Sequence, residues 1–172
     1  LNVGTGGVTI NTPTGGKTKQ IFLNASAVFN VSGNVTLNGT SGNNALIFLQ
    51  SNAATVVTIT GNLTANGPGE GVTFAGAGTL NIGGNFTSGG ILSAGSGTVV
   101  YNGSGPGSVG SYAYYKLTVN KTTPAGIATT GAGTVTVPAA GALRVDGGTL
   151  ELAGTTVVVP GTTTVSGNLN IT

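Results

Sequence analysis

The sequence predicts an all-β fold, a single-stranded parallel β-helix or β-solenoid of about seven or eight coils. Three observations favour it. Short runs alternate apolar and polar residues with a period of two, several of these runs resemble one another, and no 11-residue window shows a helical period. The 172 residues fit one domain, so we treat residues 1–172 as a single solenoid.

The alternation is clearest in residues 33–38. Val35 and Leu37 point to one side of this run, while Asn34, Thr36 and Asn38 point to the other. Each run is bounded by Gly, Asn, Ser or Pro, which favour tight turns. The same pattern recurs in residues 79–82, 98–101, 116–120, 134–137 and 149–152.

Two short motifs recur along the chain. The Gly-Asn-apolar motif occurs at Asn34, Asn62, Asn85 and Asn168, with spacings of 28, 23 and 83 residues. The Gly-Thr-apolar motif begins at Gly78, Gly97, Gly133 and Gly148. Such spacings are typical of stacked coils whose loops differ in length.

An antiparallel β-sandwich is the alternative architecture, because it also consists of short alternating strands. Self-similar segments favour the solenoid. Dipeptides that favour hairpin turns are few: Asn38-Gly39, Asn66-Gly67, Asn102-Gly103 and Asp146-Gly147.

Charged and reactive side chains are sparse. The chain has five Lys or Arg, three Asp or Glu, and no His or Cys. The positive charges are scattered, so we predict no nucleic-acid partner. No apolar run approaches the roughly 20 residues of a membrane helix, so we predict no transmembrane segment.

The side chains predict neither an enzyme nor a cofactor or metal site. Asp146 and Glu151 are the only candidates for a glycosidase pair. Alternation places Asp146 outward with Arg144, opposite Leu143 and Val145, and places Glu151 outward too. We therefore expect solvated surface charges, and no catalytic, cofactor-binding or metal-ligating residue.

Residues 91–103 and the following stretch 114–120 carry a family resemblance. They read ILSAGSGTVVYNG and YYKLTVN, and resemble the degenerate β-solenoid repeats of large secreted bacterial surface, adhesin-like proteins. The resemblance covers residues 77–172 well and the first half more loosely, since residues 17–20 and 43–49 depart from the repeat. It implies an extracellular or cell-surface location, a right-handed parallel β-helix, and a role in a fibre, stalk or adhesin.

Asn-x-Ser/Thr sequons are frequent and have two interpretations. They could mark a glycan-coated surface, or they could follow from alternation, which generates Asn-apolar-Thr in polar-apolar-polar strands. The second interpretation is favoured. The possible N-glycosylation sites are Asn24, Asn30, Asn34, Asn38, Asn62, Asn85, Asn102, Asn120 and Asn170.

Two outward surfaces are candidate contacts. Counting back from Leu117 places Tyr115 inside and Tyr112 and Tyr114 outside or in a loop. There they could contact a partner, although a packing or turn role is favoured. Outward Thr rows suggest ice binding, a less favoured alternative because the repeat length is uneven. These rows are Thr58 with Thr60, Thr134 with Thr136, and Thr162 with Thr164.

Neither end of the sequence carries a charged or helical cap. Uncapped solenoid ends present open strand edges, so we expect the chain either to be an excerpt of a longer fibre or to join copies of itself end to end. We therefore predict an extracellular structural filament subunit. The alternative is an adhesin module that recognises cell-surface glycans or another surface, and a β-helix carbohydrate enzyme is disfavoured by the few acids. The candidate assembly ends are Leu1, Asn2 and Val3, and Leu169, Asn170, Ile171 and Thr172.

Overall fold

The computed structural model shows an all-β parallel solenoid of about seven turns. It describes residues 1–49, 53–65, 67–87, 89–123, 125–153 and 155–171. Strand-to-strand pairings among these residues are all parallel. The predicted solenoid is therefore confirmed, and the antiparallel sandwich is wrong.

Each full coil visits three faces in the same order, and the second and third faces each consist of two sheets. The first face has β1 (Asn2–Val3), β4 (Val28–Val31), β7 (Val56–Ile59), β10 (Thr79–Ile82), β12 (Thr98–Tyr101), β14 (Lys116–Asn120), β17 (Ala142–Gly147) and β20 (Thr162–Val165). The second face has β2 (Val8–Ile10), β5 (Val35–Leu37), β8 (Leu63–Ala65), β13 (Gly107–Val109), β15 (Ile127–Thr130), β18 (Thr149–Leu152) and β21 (Asn168–Ile171). The third face has β3 (Thr18–Leu23), β6 (Asn44–Leu49), β9 (Glu70–Phe74), β11 (Ile91–Ser93), β16 (Gly133–Thr136) and β19 (Thr155–Val158).

Alternation along each strand builds the core. On the first face, Val57, Leu80, Val99 and Leu117 lie directly above one another in register, and all four are buried. Their neighbours along the strands point outward. Because each β-branched or Leu side chain packs on its equivalent in the next coil, one apolar column runs along the solenoid.

Coil length varies while the strand register is kept. Equivalent first-face residues are 28 apart between Asn2 and Asn30, but only 18 apart between Val99 and Leu117. The corner loops absorb the difference, which explains why the sequence lacks a strict period.

The Gly-Asn motif forms a ladder at the corner between the first and second faces. The Oδ1 atom of Asn34 accepts a hydrogen bond from the backbone nitrogen of Asn62 (2.9 Å). The Oδ1 atom of Asn62 accepts one from the backbone nitrogen of Asn85 (2.9 Å). Asn85 Oδ1 in turn accepts from the nitrogen of Ser108 (2.8 Å). The fourth motif residue, Asn168, is aligned with Thr149 and lies outside this ladder.

The predicted outward position of Tyr112 and Tyr114 is wrong, because both are buried (8% and 1% exposed). Ala113 bridges to Thr136, so residues 112–114 join the ladder of the third face. The chain then turns onto the first face, and alternation counted back from Leu117 does not extend across that corner. Tyr115, predicted to be inside, is half-buried at the corner. Tyr112 and Tyr114 are therefore core residues, in agreement with the favoured packing role.

Buried tyrosine hydroxyls bind the backbone of Gly110. The Gly110 nitrogen donates to Tyr101 Oη (3.2 Å), and Tyr114 Oη donates to the Gly110 oxygen (2.7 Å). The two hydroxyls lie 3.3 Å apart. Burial raises the pKa of Tyr112 to about 12 and raises the pKa values of Tyr101 and Tyr114 above their ordinary value.

Candidate assembly surfaces at the two ends

The N-terminal end exposes an apolar cross-section of the core. Leu1 is 79% exposed, while Val3, Val8 and Ile10 are half-buried and pack on the coil below. Val3 is aligned with buried Val31, and Val8 and Ile10 are aligned with buried Val35 and Leu37. These positions are therefore core positions that no residue in the described part of the chain covers on the outer side.

The C-terminal end is equally apolar. Every residue of β20 is exposed, including Val165 (44%), which is aligned with buried Val145. On the second face, Leu169 covers Leu150, and Ile171 is 79% exposed. Thr172 lies outside the described residues.

Both ends also present open strand edges. Within the described part of the chain, β1 pairs only with β4, β20 only with β17, and β21 only with β18. Their outer edges offer backbone N–H and C=O groups to a further strand. Sequence reasoning named the terminal strands but missed Val8, Ile10 and Val165, which the three-face topology brings to the same ends.

The two ends differ in charge. Lys17 and Lys19 are exposed, and no acidic residue precedes Glu70. Residues 142–171 hold one basic and two acidic side chains. Arg144 and Asp146 form an ion pair at 3.0 Å, and Glu151 lies on the second face. The N-terminal end is therefore positive, and the C-terminal end carries a net −1.

The sequons occupy varied positions. Asn34, Asn62 and Asn85 use their amide oxygens in the ladder, which supports the geometric interpretation for these three. Asn30 Nδ2 donates to Asn2 Oδ1 (2.8 Å), and Asn24 lies in an exposed turn. Asn38 and Asn102 are half-buried, while Asn120 and Asn170 are exposed.

The predicted outward orientation of Asp146 with Arg144 is confirmed, since Leu143 and Val145, which alternate with them along β17, are buried. Asp146 and Glu151 lie on different faces. The Oε2 atom of Glu151 lies 3.4 Å from Thr129 Oγ1. Within the described ranges, no cluster of three or more acidic, His or Cys residues is placed to hold a metal ion.

Two buried charged residues were not singled out from the sequence. Glu70 accepts hydrogen bonds from the nitrogens of Gly39 and Gly67, both at 2.8 Å, and so ties two loops together. Lys121 is 3% exposed, its Nζ donates to the Gly83 oxygen (3.3 Å), and burial lowers its pKa. Sequence position alone gave no signal for either, because Glu70 is the first residue of β9 and Lys121 directly follows the end of β14.

A cleft of about 400 Å³ lies beside Lys121 at the corner between the first and second faces. Its polar lining includes Thr122, Thr123, Asp146, Ser166 and Asn168.

The Thr rows do not form one array. Thr58 and Thr164 lie on the first face, whereas Thr134 and Thr136 lie on the third. On the first face, Asn81, Val100, Thr118 and Arg144 separate Thr58 from Thr164.

Comparison with family models, curated proteins and solved structures gave no match for this chain. No helix in the part of the chain that the structure describes is long and apolar enough to cross a membrane.

Proposed function

We propose that this chain is an extracellular structural protein whose solenoid ends join copies end to end into a fibre. The observation that carries this proposal is the apolar core exposed at both ends, with Leu1 and Ile171 each 79% exposed. Soluble solenoids ordinarily cover such ends with a polar cap. A second copy would cover them and would extend the ladders at the same time.

Both interactions favour association. Burying a Leu, Ile or Val side chain contributes about 1.5–3 kcal/mol, and the open edges add backbone hydrogen bonds. Few charges oppose contact, since the whole chain has a net charge of +2. The extracellular location rests on the resemblance of residues 77–172 to repeats of secreted surface proteins.

Binding of cell-surface glycans is the second candidate function. It is favoured by the polar cleft beside Lys121, since hydroxyl, amide and carboxylate groups such as those of Thr122, Asn168 and Asp146 suit sugar hydroxyls. Glycan-array binding that is retained by a monomer and lost in Asp146→Ala would support this function over assembly.

Sedimentation velocity across a protein concentration series tests the assembly proposal. We expect the wild type to grow into large species, and Val165→Lys/Ile171→Lys to remain small because it places charge in the joint. Ile91→Lys is a matched control, since Ile91 is an exposed apolar residue (37%) on the side of the solenoid. Assembly that survives the end substitutions, or is lost equally in the control, would contradict the proposal.

A further inference from the structure

We infer that the copies join head to tail and in register, with β20 and β21 of one copy pairing with β1 and β2 of the next. This inference rests on the proposed end-to-end assembly and adds the polarity and the residue pairs of the joint. Three observations carry it: the order of the faces, the alignment of the inward and outward columns, and the charges of the two ends.

The order of the faces allows only one polarity to bring equivalent faces of the two copies together. In a head-to-tail joint, the three faces of the second copy follow those of the first, and each new pair is parallel, as it is within the solenoid. A head-to-head joint reverses the order, so the three-residue β2 would oppose the six-residue β3 in an antiparallel pair. The two strands differ in length, which leaves backbone groups unpaired.

The inward columns match across a head-to-tail joint. Val3 and Val165 stand at opposite ends of one first-face column, so stacking places Val165 against Val3 of the next copy. Val8 and Ile171 stand at opposite ends of a second-face column. Apolar side chains would therefore meet on both faces.

The outward column matches as well. Asn2 and Thr164 belong to one column, and within the chain Asn30 Nδ2 already donates to Asn2 Oδ1 at 2.8 Å. Across the joint, Thr164 of one copy would lie beside Asn2 of the next copy, on the side opposite Asn30. Its Oγ1 can interact there with the Asn2 side chain as Asn30 does within the chain. On the third face, β19 and β3 of the next copy stand about two strand spacings apart, or about 10 Å, so the joint is carried by the first two faces.

The charges of the two ends also favour a joint between opposite ends of two copies. A head-to-head joint at the N-terminal end brings the Lys17 and Lys19 pairs of two copies together, whereas a head-to-tail joint brings them toward the end that carries Glu151. Like charges at an interface disfavour pairing. Because a head-to-tail contact is heterologous, it leaves a free end after each addition and grows a filament.

Mixing two end-blocked variants tests the polarity. Leu1→Lys/Val3→Lys blocks the N-terminal end, and Val165→Lys/Ile171→Lys blocks the C-terminal end. Head-to-tail joining predicts that each variant alone stays monomeric and that a 1:1 mixture forms dimers and nothing larger. If either variant dimerises alone through its intact ends, the inferred polarity is overturned, although end-to-end assembly stands. If the wild type itself stays monomeric, the proposed function fails, and this inference fails with it.

Circular dichroism spectra and melting curves check that both variants fold. Leu1→Lys alone, at a side chain that is 79% exposed, serves if the variant containing Val3→Lys does not fold.

Disulfide cross-linking tests the register, since the chain has no cysteine of its own. The variant Asn2→Cys/Thr164→Cys places thiols on adjacent strands of the joint, within the Cα separation that a disulfide needs. We expect oxidation to give a ladder of covalent oligomers on a non-reducing gel. Asn2→Cys/Thr162→Cys, displaced by two residues along β20, is the matched control and should cross-link far less. Equal cross-linking in the two variants would overturn the inferred register.

Discussion

The side-chain oxygen of Asn34 accepts a hydrogen bond from the backbone nitrogen of Asn62, 28 residues later and one coil away, at 2.9 Å. The same contact then links Asn62 to Asn85. A motif visible in the sequence therefore corresponds to a physical ladder that fixes the register of the corner. It also gives a structural reason for Asn to recur at these positions, independent of glycosylation.

Removing one step of the ladder should destabilise the fold modestly. In Asn62→Ala, the nitrogen of Asn85 loses its acceptor, so we expect the free energy of unfolding to fall by about 1 kcal/mol. Asn62→Asp keeps an acceptor oxygen and should retain most of that stability. Asn168→Ala is the control, because Asn168 lies outside the ladder, and it should change little. Urea denaturation measures all three, and equal losses in Asn62→Ala and Asn168→Ala would contradict the role of the ladder.

Two glycines in one turn should respond differently to substitution. A Cβ atom at Gly103 would lie 2.0 Å from the backbone oxygen of Gly83, whereas a Cβ atom at Gly105 would have no atom within 4 Å. Gly103→Ala must therefore push neighbouring coils apart, and we expect a loss of about 1–3 kcal/mol. Gly105→Ala should be neutral or slightly stabilising. Thermal melts of the two variants compare them directly, and similar melting temperatures would count against close contact between the coils at Gly103.

The buried tyrosines predict unfolding in alkali. Above pH 10, tyrosines of the unfolded chain ionise, while Tyr101, Tyr112 and Tyr114 stay protonated in the fold because burial raises their pKa values. The unfolded state then binds fewer protons, so stability is fully present below pH 10 and falls as the pH rises. The slope is up to about 1.4 kcal/mol per pH unit for each tyrosine. In urea titrations from pH 8 upward, Tyr112→Phe should reduce the slope of unfolding free energy against pH by the contribution of one tyrosine. An unchanged slope would show that Tyr112 does not contribute to it.

Lys121 should have the opposite effect on stability, at lower pH: it should make stability rise with pH. Burial lowers the pKa of Lys121 in the fold. At pH values between that lowered pKa and about 10.5, the ordinary pKa of a Lys side chain, the unfolded state therefore binds more protons than the folded state. Stability therefore rises with pH in this window. Lys121→Met should lack the rise and should be at least as stable as the wild type at neutral pH. Lys116→Met, at an exposed position, should keep it. A rise that persists in Lys121→Met would show that another group is responsible.

The sequence predicted the architecture because its physical signals are local. Alternation at Val35 and Leu37 correctly placed both side chains in the core. The Gly-Asn motif predicted stacked coils, and three of its four asparagines do stack. The fourth, Asn168, shows that a motif of this composition also arises where no ladder forms.

Predictions failed or were missing at the corners, where alternation carries no information. Tyr112 and Tyr114 were assigned to the wrong side because the chain changes face before Lys116. The burial of Glu70 and Lys121 depends on loops from other coils, such as those that contain Gly39 and Gly83. The matching of Val8 with Ile171 required the three-face topology, since these residues are far apart in the sequence.

Electron microscopy of the assembled protein tests end-to-end joining most directly. The first face has eight strands, and at about 4.8 Å each one copy spans about 38 Å along the axis. End-to-end joining predicts unbranched filaments with an axial subunit repeat of about 38 Å and strands perpendicular to the axis. Dispersed single particles, or filaments whose strands run along the axis, would contradict it.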